Sequence, residues 1–318
     1  MIRPFSLAPF FSPRPWGSLD LRPWYTTKVE EPIGEAWLTG KDCFIETGDL
    51  AGRTLGQAVA AHREELLGAR AVRKGEADFP LLLKLLFPRE KLSVQVHPDD
   101  AMATQVAGEP RGKTECWYVL QAEPGAAIAL GLRAGTTEKE IRAAIAEKTL
   151  ENLLQWIPVS PGDMIYVDAG TVHAIGPGVV LLETQQYSDL TYRLYDYGRP
   201  RELHVDLALR AVKFQTDAGK VQPVHEPGCD LLIKRRYFMV ERYALGATQK
   251  QRFENVTSTV HSLVALNGTA VVLVDGGDPV ELRPGHAVVV PASCPHYTLV
   301  AHESFTGVRA MPPVDETD

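Results

Sequence analysis

The stretch Pro161-Gly-Asp-Met-Ile-Tyr-Val-Asp-Ala-Gly-Thr-Val-His173 is followed later in the chain by Pro284-Gly-His-Ala-Val-Val-Val-Pro-Ala-Ser-Cys-Pro-His296. Each copy opens on Pro-Gly and runs through a short apolar strand into a turn of small residues. Each ends on a histidine eleven residues after the glycine. The two terminal histidines lie 123 residues apart (His173 to His296), and each copy follows a stretch rich in short β-type runs. Two such units in register imply an internal repeat of a β domain.

Working outward, Leu92, Val94 and Val96 alternate with Ser93, Gln95 and His97, which is the period of a strand with one buried face. Further short runs at Glu115–Leu120, Ala126–Leu130, Met164–Val167, Val179–Thr184 and Thr191–Tyr195 are separated by Gly, Pro or Asp. Past residue 225 helical patterning nearly stops, and Ser262–Leu266, Ala270–Val274 and Ala287–Val290 alternate with turns. Short strands at close spacing predict a sandwich or barrel. The repeated pattern resembles the second motif of cupins, small double-sheet jelly rolls. The expected fold is therefore mainly β, with two cupin-like jelly-roll barrels and helical additions. Residues 1–80 form an N-terminal segment packing on the first barrel, with a helix near 54–67. The first barrel spans 81–200 with a helical insertion near 137–156, residues 201–224 form a linker helix, and a degenerate second barrel spans 225–318. The three helical readings are Thr54–Leu67, Thr137–Trp156 and Glu202–Phe214, with Thr137 and Glu140 at capping-box spacing and a break near Lys148 in the second.

Composition excludes several classes. With 318 residues, 45% of them hydrophobic and 23% charged, the chain can bury a large core without a staple. Its net charge of −7 lacks the basic field that a nucleic-acid surface needs, but leaves room for one small cationic pocket. No apolar run approaches the length of a membrane-spanning helix. Prolines interrupt the apolar N-terminus, so it does not read as a signal segment. Cys43, Cys116, Cys229 and Cys294 include no C-x-x-C pair and read as reduced thiols in a cytoplasm.

Gln95 and His97, two apart on a strand, leave the same face. Glu115 begins the next apolar run and His173 ends the turn motif. In a cupin barrel these strands converge inward. Gln95, His97, Glu115 and His173 would then offer an amide oxygen, a carboxylate and two imidazoles. That set suits Zn²⁺ and, with less preference, Mn²⁺, Fe²⁺ or Co²⁺. No Gln-x-His or His-x-His precedes His261, so the second barrel is expected to bind no metal.

The same residues sit in longer stretches that closely resemble type I mannose-6-phosphate isomerases, particularly the shorter bacterial class. These are Phe79-Pro-Leu-Leu-Leu-Lys84, Leu92-Ser-Val-Gln95-Val-His97-Pro-Asp-Asp100, Gly112-Lys113-Thr-Glu115-Cys-Trp117-Tyr118, Val167-Asp-Ala-Gly-Thr-Val-His173 and Glu183-Thr-Gln185-Gln-Tyr-Ser188-Asp189-Leu-Thr-Tyr192-Arg193. Pro15-Trp16-Gly17 and Gly34-Glu35-Ala-Trp37 resemble the family's N-terminal signatures. The long-form enzymes carry an extra Asn-His-Lys-Pro-Glu stretch where this chain has Thr104–Arg111. The resemblance implies a zinc-dependent interconversion of mannose 6-phosphate and fructose 6-phosphate, with Gln95, His97, Glu115 and His173 as ligands. It also implies that Lys113 and Arg193 line the substrate site. The partner expected is a small phosphorylated sugar, and the chain is expected to be a monomer or homodimer.

Aldose–ketose isomerisation needs a proton carrier near two carbons, a group that stabilises an enediolate, and an anchor for the phosphate. Lys113 shares a face with Glu115 and could stabilise the enediolate or relay a proton. Asp189, Thr191 and Arg193 share parity, so Arg193 could offer its planar fork to the phosphate. Asp189 is the second candidate for the base, or an ion-pair partner of Arg193. Ser93, on the Gln95 face, and Lys84, in the apolar run LLLKLLF, are further candidates for substrate contact. A metal cupin of other chemistry, such as an oxygenase, and a non-catalytic sugar-binding cupin are the alternatives. Two cations beside the metal weigh against an oxygenase that takes a neutral substrate.

Overall fold

The apolar runs between Gly and Pro turns form antiparallel strands arranged as two pairs of facing sheets in the computed structural model, which describes residues 2–313. In the first pair, the large sheet runs Gly219–Val221, Met164–Val167, Glu115–Ala122, Val179–Gln186, Leu81–Leu86, Ile33–Trp37, Phe10–Ser18 in spatial order. The facing sheet runs Tyr192–Tyr195, Val94–Val96, His173–Ile175, Ala127–Leu132, Leu154–Pro158. Trp16, Trp117, Val119, Ile128, Ile165 and Leu181 fill much of the space between them.

The second pair repeats the plan. Its large sheet joins Phe5–Leu7, Ala287–Val290, His261–Asn267, Phe305–Met311, Met239–Leu245, Cys229–Lys234 and Val224–Glu226. It faces Lys250–Glu254, His296–Ala301, Ala270–Leu273 and Val280–Leu282. The architecture is mainly β, with the two cupin-like barrels that the repeat predicts. Both repeat units occupy the same place, as a strand (Met164–Val167 or Ala287–Val290), a turn, and a strand that begins at the terminal histidine. The glycine that opens each unit, Gly162 at φ +93° and Gly285 at φ +80°, adopts a conformation that residues with a side chain rarely adopt.

The two large sheets pack back to back. Leu81, Leu83, Leu85, Cys116, Tyr118 and Leu182 of one meet Leu232, Ile233, Val240, Val264, Val308 and Ala310 of the other in one apolar layer. The strand Leu81–Leu86 is therefore buried on both faces. Its odd positions enter that layer, and its even positions, Lys84 among them, turn into the first barrel.

The helices depart from the sequence pattern at their ends. Leu55–Leu67 carries Thr54 as its cap, with Gln57 closing a capping box. Thr137 and Glu140 form the predicted box, but the helix stops at Ala146 instead of reaching Trp156. Lys148 adopts φ +59°, Leu150–Leu153 makes one tight turn, and Leu154–Pro158 becomes the sheet's edge strand. The apolar spacing there was that of an edge strand following a turn, not one continuous helix. In the Glu202–Phe214 region only Val205–Ala211 is helical. Ala208 and Ala211 pack with Val94, Val96, Tyr192 and Leu194, so this helix covers the small sheet of the first barrel.

The N-terminal segment packs on the first barrel and also reaches the second. Phe10–Ser18 and Ile33–Trp37 extend the first large sheet. Phe5–Leu7 pairs with Ala287–Val290 of the second, and Ala292 donates to the Leu66 carbonyl. No helix among the described residues is long and apolar enough to cross a membrane.

Candidate metal centre and substrate pocket

Strand register converts sequence spacing into a site. His173 pairs with Gln95 across the small sheet, and Gln95 pairs with Arg193 on its other side. On the large sheet Glu115 lies opposite Gln185, and Glu183 stands between Lys84 and Trp117. Inward-facing positions of both sheets thus meet at one end of the first barrel.

His97, Glu115 and His173 are all buried, and their ligand atoms lie within 4.8 Å of one another. His97 Nδ1 donates to the Leu190 carbonyl at 2.8 Å, and His173 Nδ1 donates to the Thr171 carbonyl at 3.0 Å. A carbonyl only accepts, so each Nδ1 carries the proton and each Nε2 turns a lone pair inward. Burial holds both rings neutral. It pushes His173 down to about 4 against the pull of the Thr171 carbonyl, and it takes His97 well below its usual value, with Lys113 adding to the effect. Glu115 Oε1 lies 3.7 Å from His97 Nε2 and 3.5 Å from His173 Nε2, and it has no hydrogen-bond partner. A buried carboxylate oxygen left open between two imidazole lone pairs costs free energy unless a cation joins them. The three groups fit a divalent metal ion. Gln95 adjoins them, with its Nε2 3.2 Å from His173 Nε2 and its Oε1 accepting from Ser93 Oγ at 2.9 Å.

Beside this cluster lies a cavity lined by strands of both sheets. Its cations are Arg14, Lys84, Lys113, Arg193 and Arg201, and its carboxylates are Glu35, Glu115, Glu183 and Asp189. Lys113 Nζ lies 2.5 Å from Glu115 Oε2, 3.7 Å from Glu183 Oε1 and 3.1 Å from His97 Nε2. Burial works against its charge, but Glu115 and Glu183 outweigh burial and raise it above its usual value. Lys84 is 1% exposed, bonded to Asp189 Oδ1 at 2.9 Å, and 4.7 Å above the Trp37 ring. Burial again opposes the charge, and Asp189, Glu35 and Glu183 together keep the ammonium charged. Glu183 accepts from Trp117 Nε1 at 3.2 Å. Burial first, and the Glu115 charge next to it, push Glu183 up to about 7 against the opposing lysines.

Asp189 is 48% exposed at the cavity mouth, and its carboxyl is held below its usual value because Lys84 and Lys113 outweigh its desolvation. Its partner is Lys84 and not Arg193, which corrects the ion pair considered from their spacing. Arg193 lines the cavity with its Nε buried and unpartnered. Arg201, by contrast, is engaged by Asp196 at 2.6 and 2.7 Å.

The cavity thus brings together Ser93, Gln95, Lys84, Lys113, Glu115, Asp189 and Arg193, with His97 and His173 just behind. Glu35, Glu183, Arg14 and Arg201 were not anticipated as site residues. Glu183 carried a signal: it is a charge that directly follows the apolar run Val179–Leu182 on a strand buried at nearly every position. Arg14 and Arg201 carried none.

The catalytic domain of type I phosphomannose isomerases matches residues 21–132. The mannose-6-phosphate isomerase of Streptococcus mutans is 34% identical over 305 residues, covering 92% of this chain and 93% of that protein. One from Bacillus subtilis is 36% identical over 262 residues, covering 77% of this chain and 80% of that protein. The crystal structure of the mannose 6-phosphate isomerase from Bacillus subtilis superposes with a TM-score of 0.85 at 30% identity, over 97% of this chain and 99% of that one. With that likeness running nearly end to end over a barrel that holds the His–Glu–His cluster, the chain belongs to the type I mannose-6-phosphate isomerases, enzymes that interconvert an aldose and a ketose.

Proposed function

We propose that this chain interconverts D-mannose 6-phosphate and D-fructose 6-phosphate by proton transfer through an enediolate, using one zinc ion held by Gln95, His97, Glu115 and His173. The observation that carries this reading is the open Glu115 Oε1 between two inward Nε2 lone pairs, beside a cavity with an unpaired arginine Nε. Two imidazoles, a carboxylate and an amide oxygen suit zinc before manganese, iron or cobalt. A half-turn of the Gln95 amide presents Oε1 to the cluster and lets Nε2 donate to Ser93 Oγ, so the serine satisfies either orientation.

When bound, the metal supplies Lewis-acid stabilisation of negative charge on the sugar oxygens. The remaining work falls to the chain. Lys113, held charged by Glu115 and Glu183, donates to the oxygen on which enediolate charge grows. Asp189 is the most open carboxylate on the cavity. It takes the proton from one sugar carbon and returns it to the other, while Lys84 fixes its orientation through Oδ1. Arg193 binds the phosphate through its fork. The four cysteines are unpaired, which supports a reducing compartment, and we place the protein in the cytoplasm.

A coupled assay with mannose 6-phosphate, run alongside metal analysis, tests the reading. Turnover that is lost on chelation and restored by zinc is the expected result. A metal-free preparation of full activity, or no turnover of the phosphorylated sugar, sinks it. Product formed in deuterated water should carry deuterium at the transferred carbon, which a hydride shift would not give.

A further inference from the structure

The second barrel reaches the segment that follows His97 through a turn between two of its strands. The turn Arg235–Phe238 joins the strands Cys229–Lys234 and Met239–Leu245, and it leans on the first barrel. Phe238 is buried in the shared apolar layer, and Tyr237 packs against that layer. The Tyr237 hydroxyl donates to Asp100 Oδ2 at 2.7 Å. Asp100 follows His97 by three residues, at the start of a short helix.

Asp100 Oδ1 accepts from the Gly112 backbone N–H at 2.9 Å and from Gln186 Nε2 at 2.9 Å. Gln186 Oε1 in turn accepts from the Thr114 backbone N–H at 2.9 Å. Lys113 N donates to the Pro98 carbonyl at 3.0 Å between these two anchors. The backbone on both sides of Lys113 is therefore tied to one carboxylate, directly at Gly112 and through Gln186 at Thr114. A second observation shows how closely the segments are pressed together. A Cβ on Gly112 would collide with the backbone of Pro98, Asp99 and Asp100.

We infer that Tyr237 and Asp100 are positioning residues for Lys113, and that the second barrel serves the reaction by locking the Asp100 carboxylate against the Gly112–Glu115 segment. The inference rests on the role proposed above for Lys113. With the Tyr237 hydroxyl in place, all three donors to Asp100 come from fixed elements, and the Lys113 ammonium is presented at one depth in the cavity. Without it, the carboxylate can rotate and the segment that carries Lys113 loosens. Misplacing a donor to the developing charge costs kcat more than substrate affinity.

The test compares two tyrosine-to-phenylalanine variants, each removing one hydroxyl between the barrels. Tyr118 accepts from Arg242 at 2.9 Å at the same interface but has no link to Asp100. Y237F should lower kcat for mannose 6-phosphate about three- to tenfold, with KM and the metal content unchanged. Y118F should leave kcat within error of wild type. D100A removes the acceptor shared by Gly112 N–H, Gln186 Nε2 and the Tyr237 hydroxyl, so it should cost about ten- to a hundredfold in kcat. Y237F/D100A should be no worse than D100A alone, because both act through one carboxylate. A wild-type kcat for Y237F, an equal loss in Y118F, or loss of metal along with activity would each overturn the inference. Should D100A fail to fold, the tyrosine pair still decides. Failure of the underlying reading is separable, since it appears as near-normal kcat in Lys113→Met, whatever the tyrosine variants do.

Discussion

His173 ends the first copy of the repeat, fully buried, with its Nε2 turned toward Glu115; its counterpart His296 is partly exposed and bonds Asp275 at 3.0 Å. The interiors differ in the same sense. In the second barrel Tyr297 stacks on Phe253 at 4.8 Å, and the Arg309 guanidinium lies 4.6 Å over the Phe253 ring. Arg309 Nε donates to Glu241 at 2.8 Å, Tyr243 donates to Glu241 at 2.6 Å, and His261 Nδ1 meets the Tyr297 hydroxyl at 3.0 Å. Each of these polar groups has found a partner, and aromatic rings occupy the space. In the first barrel Glu115 Oε1 and Arg193 Nε are buried without partners beside an open cavity. One frame, used twice, holds one interior whose ionic and aromatic groups are paired and one where a carboxylate oxygen and a guanidinium nitrogen are left open. Unsatisfied polar groups cost stability, so the place where they are retained marks the place where something else must complete them.

Four measurements can break or sharpen that contrast. The largest effect is expected from the histidines. His97→Ala or His173→Ala should release the metal and abolish turnover, while His261→Ala and His296→Ala should leave the metal content as it is. One metal equivalent retained by both first-barrel variants would remove the basis for the comparison.

Next come the proton-handling groups. Lys113→Met and Asp189→Asn should each keep the metal and lose about 10²- to 10⁴-fold in kcat, with little change in substrate binding. Near-normal kcat in both would show that neither handles the proton. The arginines give a crossed result. Arg193→Ala should lower kcat/KM for mannose 6-phosphate roughly ten- to a hundredfold, from a charge-assisted bond of about 1.5–3 kcal/mol, and should barely affect free mannose. Arg309→Ala should instead destabilise the fold by about 3–5 kcal/mol, by leaving the buried Glu241 carboxylate without a countercharge and with only the Tyr243 hydroxyl as donor, with turnover per folded molecule intact. Equal proportional loss for both sugars in the Arg193 variant would assign that residue to the chemistry or the fold.

The smallest effect is a pH slope. Burial, helped by the Arg309 charge, pushes His261 down to about 3, so the folded barrel keeps it neutral while the unfolded chain protonates near 6.5. Between those two values the unfolded state binds more protons, so acidification destabilises the fold. From pH 7 to 5.5 this group alone should cost about 1 kcal/mol, and His261→Gln should flatten the stability curve by that much. Parallel curves for variant and wild type would mean that His261 is not held neutral in the fold.

Much of this was legible in the sequence, for reasons that differ by residue. The repeat exposed the two barrels because the Pro-Gly turn, the strand and the histidine are local features. Gln95 and His97 could be read from a spacing of two, and Lys113 and Glu115 likewise. Lys84 could not be placed, because a strand buried on both faces shows no polar alternation that tells inside from outside. Its true environment depends on register: Glu183 and Trp37 lie opposite it on neighbouring strands, and Asp189 comes from a loop 105 residues away. Glu35 faces Lys84 only through strand pairing and tertiary contact, which are not local properties of the sequence. The helix read to Trp156 failed because Leu150, Leu153 and Leu154 fit a helical period while serving a turn and an edge strand.

The apolar layer between the two large sheets belongs to neither barrel alone. A single barrel of this design would expose that face to water and would need a second copy to cover it, at a strength set by protein concentration. Carrying both copies in one polypeptide makes the encounter intramolecular, with an effective concentration fixed by the connecting chain. Dilution then cannot separate the catalytic barrel from its cover. A fragment that ends before residue 225 should be recovered only as a self-associating or aggregated species.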